Sequence, residues 1–222
     1  MDFKAIIFDM DGLVLDSETG YFAAWQQAAS QMGFSLNDQF CDSLSGAPGT
    51  LIRQRLIAHF GVDFDIRRFY ALSNQAWQQQ VQQYGIPVKT GFFLLMQRIC
   101  DLKLPFCLAT NSRRQDVEQC LNYAGLTGVF SCIITRDDVE TPKPAPDVFL
   151  KAADELGFAS KDCLVLEDSP VGVAAAVAAN CPCIFVPSCL PADEHAARQA
   201  NRVLVNLIQV ADFISVEFEH SL

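Results

Sequence analysis

Positive charge is scarce in this 222-residue chain, which has 16 lysines and arginines against 26 aspartates and glutamates and a net charge of −10. A surface that binds nucleic acid or an anionic membrane needs a basic patch. We therefore expect neither as a partner. A small anionic substrate remains compatible with the composition, because a few local cations or a metal ion can outweigh the overall field.

Long hydrophobic runs are also missing. No stretch approaches the roughly 18 apolar residues of a membrane span, and the first apolar run is too short for a signal peptide and is interrupted by acids. Half of the residues are hydrophobic and 19% are charged, which is typical of soluble globular proteins. The length suits one large domain, or one domain that carries a smaller one, and we expect a monomer.

The nine cysteines include no CxxC pair. Cys181 and Cys183 have no partner pair or nearby histidine, so no zinc site is predicted. Most of the cysteines stand in apolar runs, such as Cys107 in PFCLAT and Cys132 in SCIIT. An odd number without an export signal favours a reducing compartment. We expect reduced, packed thiols in a cytoplasmic protein.

What the chain does contain is an alternation of strand and helix patterns. Short apolar runs predict buried strands at 3–8, 105–109, 131–135, 163–166 and 182–186. Helical patterns fill the intervals at about 91–101, 113–123, 146–156 and 170–179. This alternation predicts an α/β fold with a Rossmann-like parallel sheet and right-handed crossovers.

One interval is much longer than the rest. Nearly a hundred residues separate the first two predicted strands, whereas a simple crossover needs about a dozen. Residues 17–84 carry amphipathic helical patterns and no convincing strand. The simplest interpretation is a small α-helical cap domain at 15–85, inserted into a catalytic core formed by 1–14 and 86–222.

Polar side chains follow four of the predicted strands at the point where each strand ends. They are Asp9 and Asp11; Thr110, Asn111 and Ser112; Arg136, Asp137, Asp138 and the more distant Lys143; and Glu167 and Asp168. The carboxyl ends of parallel strands share one edge of the sheet, where open α/β folds bind ligands. We therefore expect carboxylates, a hydroxyl and an ammonium group to converge there.

Such a cluster of acids would repel itself unless it held a cation, and its oxygen ligands suit Mg²⁺. A carboxylate beside Mg²⁺ can attack phosphorus and form an aspartyl-phosphate. Thr110 and Lys143 could stabilise charge on the transferring group. A second acid could protonate the leaving oxygen and later deprotonate water. Asp9 and Asp11 are thus predicted to be the nucleophile and the general acid/base.

Each residue also has a purely structural interpretation. Two aspartates near a strand end often form a turn, and a lone lysine is usually solvated. Thr110 could cap the following helix, and Glu167 could favour a helix start by its charge. Order, strand context and residue type agree across all the pieces, and this favours the functional interpretation.

Four segments carry a family resemblance: FDMDGLVLDSE, LATNS, TPKPAPDVFLKAADELG and LVLEDSPVGVAAAVAA. They resemble the signature motifs of the haloacid dehalogenase superfamily, and in particular its phosphatase branch with a small helical cap, which also contains β-phosphoglucomutase. The resemblance implies a Mg²⁺-dependent phosphatase with an aspartyl-phosphate intermediate. The site residues that it implies are Asp9 as nucleophile and metal ligand, Asp11 as general acid/base with its carbonyl on the metal, Thr110, Asn111 and Lys143 at the phosphoryl group, Asp168 as metal ligand, and Glu167 supporting or joining the metal shell.

Two departures bear on the alternatives. Mutases of this branch have a histidine where this chain has Tyr21 and an arginine where it has Gly49. Both hold a phosphorylated sugar, so their absence favours hydrolysis of a small phosphorylated metabolite, a sugar phosphate or a nucleotide-like compound, over a β-phosphoglucomutase-type reaction. A metal-free dehalogenase fits less well because metal and acid are both provided for. A broken motif would favour a non-enzymatic binding or regulatory protein, but all the key residues are present.

Arg53 is the candidate specificity residue of the cap. At helical spacing it falls on the apolar side that Ile52, Leu56 and Phe60 define. A charge on such a face needs a partner or an exit to water. Arg53 could pair with Asp63 or Asp65 or snorkel to the solvent. Alternatively, it could meet a polar or anionic part of the substrate remote from the reacting group.

Overall fold

The computed structural model describes residues 1–44 and 49–219, and these divide into two compact units. One unit comprises Met1–Leu15 and Pro87–Leu222, and the other comprises Asp16–Ile86. Each junction therefore lies one residue later than the sequence predicts for the core and the insertion. Residues 45–48, which precede Gly49 in the sequence LSGAPG, lie outside the described residues.

The first unit is built on a six-stranded parallel sheet, which confirms the predicted fold class. Its strands are β1 (Ala5–Phe8), β2 (Phe106–Ala109), β3 (Ile133–Ile134), β4 (Cys163–Glu167), β5 (Cys183–Phe185) and β6 (Arg202–Val203). Their order across the sheet is β3-β2-β1-β4-β5-β6. The sequence analysis did not identify β6, because its two residues are both exposed and form no apolar run.

Helices follow the strands in the same unit. They are α5 (Phe92–Asp101), α6 (Arg114–Tyr123), α7 (Asp147–Leu156), α8 (Pro170–Ala178), α9 (Glu194–Gln199) and α10 (Leu207–Glu219). The first four lie where they were predicted. The last two follow residue 186, where the sequence analysis assigned no element. The start of α8 was predictable from the sequence because it carries a typical N-terminal signal. Ser169 accepts a hydrogen bond from the Gly172 amide, and Pro170 occupies the first turn.

Strand β1 lies at the centre of the sheet, and all four of its residues are buried. Ala5 and Ile7 pack into one core cluster with residues of β2, β4 and helix α7. Phe8 instead contacts three aromatic rings, those of Phe92, Phe106 and Phe130, at centroid distances of 5.7 to 6.3 Å. Apolar groups thus cover both faces of the sheet, which explains why its strands are continuous hydrophobic runs rather than alternating ones.

The second unit is helical. It contains α1 (Ser17–Gln31), α2 (Asp38–Asp42), α3 (Gly49–Phe60) and α4 (Ile66–Tyr84). Asn37 and Asp65 cap α2 and α4 by accepting hydrogen bonds from backbone amides of the first turn. Its core holds Leu56 and Phe69, both fully buried. Among the described residues, no helix of either unit is long and apolar enough to cross a membrane.

Candidate active site

Strand register places Asp9 at the centre of the carboxyl edge of the sheet. Phe8 is aligned with Leu108 of β2 and with Leu166 of β4, so the next residue, Asp9, lies beside Ala109 and Glu167. The Asp9 amide donates to the Leu166 carbonyl at 3.0 Å, which continues the ladder by one bond. The backbone therefore brings the ends of three strands together, as the sequence predicts for a parallel sheet.

Lys143 is the cation of this edge, and its side chain is 3% exposed. Its Nζ donates to Asp9 Oδ1 at 2.6 Å, to Glu167 Oε1 at 2.7 Å and to the Ala109 carbonyl at 3.0 Å. The same Nζ stands 4.5 Å from the centroid of the Phe149 ring. Burial opposes the charge, but Asp9 and Glu167 outweigh it and raise the pKa of Lys143. Lys143 is thus a buried ammonium group and not the solvated lysine of the structural interpretation.

Glu167 is the last residue of β4 and is fully buried. While Oε1 accepts from Lys143, Oε2 accepts from the Asp168 amide, the Ser169 amide and the Ser169 hydroxyl. Helix α8 approaches closely, since a Cβ added at Gly172 would lie 1.8 Å from Oε1. Both oxygens of Glu167 are therefore engaged by the protein itself, and the residue joins the start of α8 to Lys143.

Asp9, Glu167 and Asp168 form the acidic cluster. Each offers an oxygen, these oxygens lie within 4.8 Å of one another, and all three residues are buried. The loop after β1 closes on Asp168: Gly12 has a φ of +81°, and a Cβ there would lie 2.0 Å from Asp168 Oδ2. Only glycine fits that approach without displacing the carboxylate.

The electrostatics of the cluster favour a bound cation. Burial, opposed by Lys143 and reinforced by Glu167 and Asp11, raises the pKa of Asp9 to about 8. A divalent cation would reverse that shift, because it is the larger local charge. Three buried carboxylates with hard oxygen donors fit Mg²⁺ better than a softer metal.

Asp11 is not one of the three acids of the cluster. It is partly exposed, and its Oδ2 accepts a hydrogen bond of 2.7 Å from the Ser112 hydroxyl. The sequence predicted Ser112 at this edge of the sheet without a partner, because no local signal links two residues 101 positions apart. Ser112 thus fixes the orientation of a predicted acid/base group.

Thr110 and Asn111 follow β2 and take different partners. Thr110 is buried, and its hydroxyl accepts from the Ser112 amide at 3.0 Å rather than capping α6. The Asn111 side chain contacts the backbone of Lys143 twice, accepting from the amide at 2.8 Å and donating to the carbonyl at 3.2 Å. Asn111 therefore holds the segment that carries Lys143, and its contact with phosphate stays a prediction.

Residues predicted in the inserted unit belong to a separate compact body. Arg53 is exposed on α3, and the described residues include no ion pair between it and Asp63 or Asp65. Its guanidinium partly offsets the burial that raises the pKa of Tyr70. Tyr21, which replaces the histidine of the mutases, stacks on Trp77 with the ring centroids 5.3 Å apart.

The sequence is similar to those of known proteins. The model of the family described as haloacid dehalogenase-like hydrolase matches residues 6–186. The Drosophila melanogaster protein named "Probable pseudouridine-5'-phosphatase" is 31% identical over 218 residues, which cover 96% of this chain and 92% of that protein. The fructose-1-phosphate phosphatase YqaB of Escherichia coli is 28% identical over 184 residues, which cover 83% and 96% respectively.

Solved structures show the same fold. The crystal structure of β-phosphoglucomutase from Clostridium difficile has a TM-score of 0.73 and covers 99% of this chain and 98% of its own, at 21% sequence identity. A likeness at that identity shows the architecture alone. The family match, in contrast, spans most of the sequence and contains every residue of the acidic cluster. This protein belongs to the haloacid dehalogenase-like hydrolases.

Proposed function

We propose that this hydrolase is a Mg²⁺-dependent phosphatase that cleaves a small phosphorylated metabolite through an aspartyl-phosphate on Asp9. The observation that carries the proposal is the position of Asp9. It directly follows the central strand, lies 2.6 Å from the Lys143 ammonium and belongs to a buried cluster of three acids. A carboxylate and a phosphate dianion repel each other. A fixed ammonium group and a bound metal ion beside the carboxylate would offset that repulsion and allow the attack.

The metal would be held by Asp9 and Asp168, with the backbone carbonyl of Asp11. Glu167 supports these ligands from its bonds with Lys143 and the α8 turn, because both of its oxygens already have donors. When bound, Mg²⁺ supplies neutralising charge at the phosphoryl oxygens. The hydroxyl of Thr110 and the ammonium of Lys143 supply further donors to the same group.

The chain's own acids carry the proton transfers. Asp9 attacks phosphorus while the bond between phosphorus and the leaving oxygen breaks, and Asp11 donates a proton to that oxygen. Asp11 then removes a proton from water, and the resulting nucleophile attacks the aspartyl-phosphate to release phosphate and regenerate Asp9. The hydroxyl of Ser112, at 2.7 Å, keeps Asp11 aligned through both steps.

The test is phosphate release from a panel of sugar phosphates and nucleotides with Mg²⁺ present. We expect Asp9→Asn to lose nearly all turnover, because an amide cannot form the aspartyl-phosphate, while Asp2→Asn at an exposed acid retains it. Acid quenching of the wild type during turnover should leave a phosphoryl adduct on the peptide that contains Asp9. Turnover near the wild-type rate in Asp9→Asn would refute the mechanism.

The same assay separates hydrolysis from mutase activity. The fold that the protein shares with a β-phosphoglucomutase is compatible with phosphoryl transfer to a sugar. With a hexose 1-phosphate as substrate, a phosphatase releases free phosphate, whereas a mutase yields the 6-phosphate. We expect free phosphate, because the position of the mutase histidine holds Tyr21, whose ring is stacked on Trp77.

A further inference from the structure

Cys107 and Cys132 form a thiol pair that the phosphatase chemistry does not use. Leu108 of β2 is aligned with Ile133 of β3, so the preceding residues, Cys107 and Cys132, lie side by side on neighbouring parallel strands. The Leu108 amide donates to the Cys132 carbonyl at 3.1 Å, which carries the ladder to this pair. Cys107 lies in a core cluster of buried residues, and Cys132 packs against the same cluster.

This placement brings the two residues into the range that a disulfide can span. Neighbouring strands lie roughly 4.8 Å apart, inside the range of about 4.4–6.8 Å between Cα atoms that disulfides span. Cys107 is fully buried, whereas Cys132 is half-buried and directly precedes β3. A small oxidant can therefore reach one member of the pair, and the other lies directly behind it.

The surroundings of Cys132 favour its thiolate. Arg114 lies close by, because its guanidinium donates to the Ile133 carbonyl at 3.1 Å. The hydrogen bond from Cys107, opposed by burial and by Glu155 and reinforced by Arg114, lowers the pKa of Cys132 to about 7. Pairing with Cys132 and burial act the other way on Cys107 and raise its pKa. Burial also raises the pKa of Cys120 and of Cys181 to about 12. The thiolate is the reactive form of cysteine.

We propose that Cys132 and Cys107 are a peroxide-sensitive pair, in which a hydroperoxide oxidises Cys132 and Cys107 then closes a reversible disulfide between β2 and β3. In the first step the Cys132 thiolate attacks one peroxide oxygen and the O–O bond breaks. Cys132 becomes a sulfenic acid, and the other oxygen leaves as hydroxide and takes a proton from solvent. In the second step the Cys107 sulfur attacks the Cys132 sulfur, and the Cys107 proton leaves with the sulfenic hydroxyl as water.

Peptide mapping of the oxidised wild-type protein tests the proposal directly. After hydrogen peroxide treatment and alkylation of the remaining thiols, trypsin should give peptide 104–113, which holds Cys107, linked to peptide 115–136, which holds Cys132. The mass of the linked species should be two hydrogen atoms below the sum of the two reduced peptides, and the species should disappear on treatment with dithiothreitol. Because Cys120 shares the second peptide, Cys120→Ser is the matched control and should keep the link, whereas Cys132→Ser should abolish it.

A second comparison tests the role of Arg114. Its neighbour Arg113 carries the same charge but is exposed, and it is not among the groups that shift the pKa of Cys132. Arg113→Gln should therefore oxidise at the wild-type rate. Arg114→Gln should react about two- to fourfold more slowly, because a weaker thiolate preference is partly offset by higher nucleophilicity. A disulfide between other cysteines would overturn the proposed pair. Oxidation of Cys132 to sulfinic acid while Cys107 remains a free thiol that can be alkylated would overturn it as well. Equal rates in the two arginine variants would overturn the contribution of Arg114.

Discussion

At the scale of single residues, the site depends on side chains that hold other side chains. The Asn111 side chain forms two hydrogen bonds with the backbone of Lys143, and the Ser112 hydroxyl donates a hydrogen bond to Asp11. Neither residue needs to contact the reacting phosphorus to affect the rate. A small displacement of a catalytic acid or cation strongly reduces the stabilisation of the transition state. The positioning residues are therefore as open to test as the predicted catalytic ones.

Ser112→Ala should slow turnover by about tenfold, the loss expected when one charge-assisted hydrogen bond no longer aligns a proton donor. The defect should be larger for alkyl phosphates than for aryl phosphates, since only the poorer leaving group depends on protonation. Steady-state kinetics on both substrates measure the ratio. Ser215→Ala, which removes a hydroxyl bonded within α10, is the control. An equal fall on both substrates would show that Ser112 does not act through Asp11.

Arg53 is the residue on which substrate recognition in the inserted unit can be tested. We expect Arg53→Ala to lower kcat/KM on the best metabolite by about tenfold and to leave a minimal aryl phosphate unaffected, because only the metabolite has a remote polar group. Arg67→Ala, also an exposed arginine of that unit, is the matched control. Unchanged activity on both substrates would leave Arg53 as a solvated side chain.

At the scale of elements, helix α8 meets strand β4 through a glycine. Gly172→Ala should destabilise the protein by about 1–3 kcal/mol, although alanine normally favours a helix. The added Cβ would lie 1.8 Å from Glu167 Oε1, and that carboxylate cannot move freely because four donors hold it. Denaturant unfolding measures the loss. Gly20→Ala is the control, since its Cβ would meet its nearest neighbour, on Trp77, at 3.8 Å and should be neutral or stabilising.

The start of the short 3₁₀ helix Arg136–Asp138 depends on an ionised acid. Asp138 accepts from the Thr135 amide and hydroxyl and from Arg114. Burial opposes the charge, but these donors prevail and lower the pKa of Asp138 below 3.8. The stabilisation is therefore present above pH 3.8 and is lost as the pH falls through the lower value of the folded state.

Asp138→Asn should accordingly lower the free energy of unfolding by about 1 kcal/mol near neutral pH, a modest loss because the pair is partly exposed. The difference from wild type should shrink as the solution is acidified below pH 3.8. Thermal unfolding across that pH range measures it, with Asp154→Asn at an exposed acid as the control. A difference that stays constant in acid would contradict the assignment.

At the scale of the whole molecule, metal binding should be visible as stability. A ligand at a hundred times its dissociation constant stabilises a folded protein by about 2.7 kcal/mol. We therefore expect Mg²⁺ to raise the melting temperature by about 5 °C or more, and EDTA to reverse the rise. Asp168→Asn should remove the effect, whereas Asp11→Asn should keep it, because the proposed contact of Asp11 is a backbone carbonyl. The opposite pattern would reverse these two roles.

Much of the architecture follows from local sequence. Continuous apolar runs such as 163–166 indicate strands covered on both faces, and helical patterns between them favour parallel pairing. The sequence alone therefore predicts that the acids after Phe8 and Leu166 lie on one edge of the sheet. Strand β6 escaped notice because two exposed residues carry no periodic signal, and they form a strand only because β5 offers an open edge.

The sequence by itself determined the class of fold, the edge that bears the site and the residue types gathered there, because periodicity and chain order are local properties. Only the tertiary structure decided which partner each group meets. Lys143 reaches Asp9 across 134 positions, Ser112 reaches Asp11 and Cys107 meets Cys132. These contacts depend on strand register and side-chain rotamers, which are set by packing across the whole core and are not encoded in any short stretch of the chain.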